Sequence, residues 1–178
     1  MLRLLAILLL LHVYIGVRLI PDLPLGTAGT VLSVLALGVL FTLMPLGFFT
    51  RRIERHALAD RIALVSYIAM GVFSSLLVLT LLRDLSLLAP FPESYRSYSA
   101  AAVPILASLL TVVGFFNARR RARVRPVDVP IADLPPQLHG FTIAQISDIH
   151  VGPTIKRPYV EAIVDAVNAL YGDRKSVV

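Results

Sequence analysis

The sequence has no cysteine and no tryptophan among its 178 residues. Without cysteine, disulfides, thiolate catalysis and cysteine-ligated zinc are all excluded, and a reducing compartment fits. Charged residues are scarce across the first two thirds of the chain. No run of Asp, Glu or Lys interrupts its apolar stretches, so the signature of a proton or ion pathway is missing and a transporter is disfavoured. What is abundant is apolar: 57% of the residues are hydrophobic and the mean hydropathy is +0.79. A soluble domain has about 45–50%. The final third is charged and proline-bearing, so the chain reads as a membrane unit followed by part of a water-facing one.

A bilayer core of ~30 Å takes about 20 apolar helical residues to cross. Four stretches meet that requirement, near residues 4–20, 28–49, 62–82 and 100–116. They are separated by Pro21-Asp22-Leu23-Pro24, by residues 50–61, and by residues 83–99 with Pro90 and Pro92. A cleaved signal peptide is the rival reading of the N-terminus. The first run is long, no small-residue cleavage site follows it, and three more spans come after. His12 and Arg18 lie in the first span, and Arg18 is expected to snorkel toward the headgroups. Gly71 and Ser75 have a spacing that permits close helix approach. Pro45 and Pro104 are expected to kink their spans.

The net charge of +6, from 17 basic and 11 acidic residues, is unevenly placed. With four spans, Arg3, the loop with Arg51, Arg52, Arg55 and Arg61, and the run Arg119, Arg120, Arg121, Arg123, Arg125 share one side. Only Arg18, Arg83 and Arg96 fall on the other. The positive-inside rule then puts both termini in the cytoplasm. The arginine run abuts a span and has no interleaved aromatics. It therefore reads as an orientation signal touching anionic headgroups, and no nucleic acid is expected as a partner.

Beyond this basic linker (residues 118–126), Val124–Ile131 is β-favouring but broken by Pro126 and Pro130, as in an edge strand. Asp133-Leu134-Pro135-Pro136 is a turn. Gly140 then opens an apolar, β-branched run, Phe141 to Ile146, which predicts a buried strand. It ends abruptly in Ser147-Asp148-Ile149-His150-Val151-Gly152. Past Pro153, the periodicity of Val160, Ile163, Val164, Val167 and Leu170 predicts a helix over Arg157–Leu170, with Pro158 in its first turn.

Ligands of α/β folds gather at the carboxyl ends of strands. In extended chain Asp148 and His150, two residues apart, point the same way. A carboxylate oxygen beside an imidazole nitrogen suits Mn, Fe or Zn, and Gly152 lets the backbone turn next to the ion. Asp-x-His alone is common, and its bland reading is a capping Asp plus a loop histidine. Its setting here, an apolar strand before it and a helix after, closely resembles the first motif of the calcineurin-like metallophosphoesterases. The layout of several spans ahead of that motif resembles the bacterial membrane-anchored members, as does the leader Leu138-His139-Gly140-Phe141.

That resemblance implies the start of an α/β domain, a two-sheet α/β sandwich, after an α-helical membrane domain of four transmembrane helices over residues 1–117. It implies a bacterial inner-membrane location and a centre of two divalent metal ions, with Asp148 and His150 binding one of them. The substrate would be a phosphate mono- or diester, lipid-linked or membrane-proximal. The family's later motifs, Gly-Asn-His, a lone His and Gly-His-x-His, do not occur. Gly172-Asp173 imitates the second motif without a preceding strand or an Asp at 176, so Asp173 is not assigned as a ligand. Residues 127–172 are thus expected to be the N-terminal piece of the catalytic domain. Residues 173–178 are expected to be non-native, because the codons that would spell them look like a sequencing adapter. Two ligands are too few for a firmly held catalytic metal, so this polypeptide alone is expected to be inactive. The rival from another class is a non-enzymatic four-span protein, a sensor or assembly factor with a short cytoplasmic tail.

Overall fold

The computed structural model describes residues 2–120, 123–147, 149, 151–152 and 155–170. The chain divides into two compact units, Met1–Ala118 and Arg119–Val178.

The first unit is four long helices: α1 (Leu2–Leu19), α2 (Thr27–Phe49), α3 (His56–Ser86) and α4 (Ser94–Asn117). Each is long and apolar enough to cross a membrane. In hydrocarbon every backbone group has to be paired within the segment, which a helix achieves alone. The hydroxyls obey the same constraint. Ser33, Thr42, Thr80, Ser108 and Thr111 each donate to a carbonyl of their own helix, at 2.6–2.9 Å. Pro45 and Pro104 sit inside α2 and α4, which continue through them.

α3 is the hub, packing against α1, α2 and α4. Ile15, Leu19, Phe73 and Val103 form the buried core, flanked by Leu8, Leu11, Leu37, Leu40 and Met44. α2 buries no residue, and Leu32, Leu35 and Val39 point outward, as in a helix whose second face meets lipid. Lipid tails are as apolar as leucine, so helix association there rests on close packing and polar ties. Gly47 supplies the first. A Cβ added to it would lie 3.1 Å from that of Ser66, whose Oγ donates to Leu43 O at 2.8 Å and ties α3 to α2. Gly71 faces Thr111 of α4, whose Cγ2 would meet an added Cβ at an ordinary van der Waals distance, 3.7 Å.

Apart from Ile20, which opens a short 3-10 turn (Ile20–Asp22), the apolar spans fall within these helices, but the third loop is shorter than the sequence implies. Arg83 and Asp84, expected in the loop, belong to the last turns of α3, and α4 begins at Ser94 rather than near residue 100. The reason is that both charges are paired, so nothing expels them from the helix. The break is confined to the stretch holding Pro90 and Pro92, after Leu87 N–H closes on Arg83 O at 2.9 Å.

The second unit contains one α-helix among its described residues, α5 (Arg157–Leu170), on the stretch whose periodicity predicts it. A short 3-10 turn covers Pro136–Leu138. Asp133 and Gly140 have positive φ, 59° and 77°, the left-handed region that glycine takes at no steric cost. Neither Val124–Ile131 nor the run from Phe141 forms a strand among the described residues. Phe141, Ile143 and Ile146 are exposed. A helix pairs its own amides, but a strand exists only beside another, and among the described residues no strand accompanies either stretch.

Candidate functional site

The motif lies between the apolar run and α5. Asp148 and His150 themselves are outside the described residues, as is Arg121. Around them, Ile149 is half-buried and Val151 exposed. Val151 N–H donates to Ile149 O at 2.8 Å and Gly152 N–H to Ile155 O at 3.1 Å. α5 starts five residues after Gly152.

The neighbouring histidine is engaged locally: a ring N–H of His139 donates to Leu134 O at 3.1 Å. On α5, Arg157 Nε donates to Glu161 Oε1 at 2.6 Å along the helix face, and Tyr159 OH donates to Arg120 O at 3.4 Å. Among the described residues no three His, Asp or Glu side chains gather as a metal site. The donor types of Asp148 and His150 fit a borderline ion.

The expected orientation arginines are at the surface. Arg51 and Arg52 occupy the 3-10 turn Thr50–Arg52, Arg55 precedes α3, and Arg119 and Arg120 follow α4. All five are exposed.

At the opposite end of the helical unit is a charge network that the sequence reading did not foresee. Arg18 does not merely snorkel. Its Nε and Nη2 donate to the two oxygens of Asp84 at 2.7 and 3.0 Å, and Tyr14 OH donates to Asp84 Oδ2 at 2.7 Å. Arg83 has a side chain only 2% exposed. Its Nη2 pairs with Asp22 Oδ2 and reaches Arg96 O at 3.1 Å. Its Nη1 donates to Arg18 O at 2.9 Å, and its Nε donates to Ser99 Oγ at 3.0 Å. The signal was present in the sequence, since Asp22, Arg83 and Asp84 close apolar spans that an antiparallel fold brings to one end. The third span was cut too early to show it.

His12 is buried in the same unit. Its Nδ1 donates to Leu8 O at 2.8 Å, and its ring stacks on Phe73 with centroids 4.4 Å apart. It belongs to the core.

Known proteins resemble part of this chain. A zebrafish (Danio rerio) protein named "Transmembrane protein with metallophosphoesterase domain" is 39% identical over 69 residues, 39% of this chain and 16% of that protein. Its cattle (Bos taurus) namesake is 38% identical over 73 residues, 41% of this chain and 16% of that protein. A Caenorhabditis elegans protein whose name also carries the word metallophosphoesterase is 25% identical over 126 residues, 63% of this chain and 26% of that one. The chain thus covers about a sixth of the first two relatives. No family model matches it, and no solved structure does. The chain is a membrane protein with four apolar helices, and its likeness is to membrane proteins that bear a metallophosphoesterase domain.

Proposed function

We propose that this chain is the membrane anchor and opening catalytic segment of a metal-dependent phosphoesterase that acts on the cytoplasmic side. The observation that carries the reading is the motif Ser147-Asp148-Ile149-His150-Val151-Gly152 between an apolar run and α5, in a chain similar to proteins named for that domain. The exposed arginines at the α2–α3 turn and after α4 support the sidedness, because basic residues are retained on the cytoplasmic face.

In this reading Asp148 and His150 hold one of two divalent ions, of which Mn, Fe or Zn fits the donors. Such a pair of ions supplies Lewis-acid stabilisation of a phosphoryl group and an activated water. The chain's own contribution is to orient the two donors. The apolar run leads to them, and α5 follows them in the chain. Tethering to a membrane favours a lipid-linked or membrane-proximal phosphoester.

The test is an Mn(II) titration of the chain in lipid nanodiscs, read by electron paramagnetic resonance. Asp148→Asn and His150→Gln are each expected to weaken binding about tenfold, as removal of a metal-site group does, while His139→Gln leaves it unchanged. Equal binding by all four proteins overturns the metal reading and favours a non-enzymatic four-span protein.

A further inference from the structure

Arg83 is placed where it can hold the helices together at one end. Its guanidinium reaches α1 through Arg18 O, the short turn Ile20–Asp22 through Asp22, and α4 through Ser99 Oγ and Arg96 O. Two stretches, residues 18–22 and 96–99, thus converge on one side chain of α3. Within the apolar spans such an ion pair is expensive unless it is fully partnered, and here every nitrogen of the guanidinium donates. The adjoining pair of Arg18 and Asp84 balances the charge, with Asp84 Oδ1 3.9 Å from Arg83 Nη1.

α4 depends on this point more than any other helix. Its main packing partners are α3 and the turn Ile20–Asp22. Its buried residues are Ala100, Val103 and Ala107, and two of the three are alanine. So smooth a seam offers few knobs to resist sliding, and small shifts of packed helices are a common switching motion. Beside the clamp, a shallow groove of about 410 Å³ runs on the surface along the seam of α3 and α4, lined by Leu82, Arg83, Ser86, Tyr95, Ser99 and Leu106. It leaves α4 room to move.

We propose that Arg83 and Asp22 form a clamp locking the start of α4 to the α1–α2 turn, and that its release lets α4 shift along α3. α4 leads directly in the chain to Arg119, so a signal met at the far membrane face has a mechanical route to the basic segment. The proposal concerns the helical unit alone and does not rest on the phosphoesterase reading.

Because the chain has no cysteine, engineered spin-label pairs report without background. One pair, Leu23→Cys with Ser94→Cys, spans the clamp. A control pair, Leu46→Cys with Val65→Cys, spans α2 and α3 away from it. In nanodiscs, Arg83→Met is expected to lengthen the first distance by about 5 Å, the rise of one helical turn, or to split its distribution. The control distance stays fixed, and Arg83→Lys gives a smaller shift. An unchanged first distance overturns the clamp. So does an equal change in both pairs, which would make Arg83 a general stabiliser of the bundle.

Discussion

Both units of this chain carry apolar residues, yet among the described residues only the helical unit buries any. In the helical unit Ile15, Phe73, Val103, Ala100 and Ala107 are shut away, and even Thr80 and Arg83 are nearly inaccessible. In the second unit Ile143 is 79% exposed and α5 buries nothing. The difference is one of hydrogen-bond economy. A helix pairs its amides internally, so an apolar helix needs only lipid or another helix beside it. A strand borrows its pairing from a neighbour, so the stretch from Phe141 carries the sequence of a strand without its structure. Apolar content thus states that a segment must be covered, and secondary-structure type decides whether it can wait for its cover.

That contrast is open to attack by substitution, with unfolding followed in mixed detergent micelles. The largest effect is expected from Phe73→Ala, which removes the ring under His12 and empties the core, at about 3 kcal/mol. Gly47→Val comes next. Its added atoms meet Ser66 where a Cβ alone already stands at 3.1 Å, and overpacking of this kind costs about 1–3 kcal/mol. In the second unit the expected effects collapse. Arg157→Ala deletes an exposed helix-face pair with Glu161 and should lower the helicity of α5 by the equivalent of about 0.3 kcal/mol, read by circular dichroism. Ile143→Ser should leave the unfolding transition of the helical unit where it was. A shift comparable to that of Gly47→Val would show that residues 141–147 are packed after all.

Much of the helical unit was legible because span length and apolarity are imposed by the bilayer. Apart from Ile20, the four spans lie inside α1–α4, and the periodicity of Val160, Ile163 and Val167 located α5. What could not be read was pairing between distant residues. Arg83 and Asp84 resemble loop charges until α1 brings Arg18 to Asp84 and the turn brings Asp22 to Arg83. Arg18 likewise looked destined for the headgroups, though its partner is a carboxylate on α3. Gly47 went unnoticed because its importance lies in Ser66, nineteen positions on. At the candidate site the reverse holds. The residue types of Asp148 and His150 and their setting were legible from sequence, whereas the predicted strand ahead of them is a property of a sheet and not of one segment.

The most direct test of the central claim joins the metal to its place on the chain. A nitroxide at Val151→Cys and another at Ala89→Cys, in separate preparations of the chain in nanodiscs, would be exposed to Mn(II), whose paramagnetism broadens only nearby labels. The account predicts strong broadening at position 151 that Asp148→Asn abolishes, and none at position 89. Equal broadening at both positions, or broadening at 151 that survives Asp148→Asn, would contradict it.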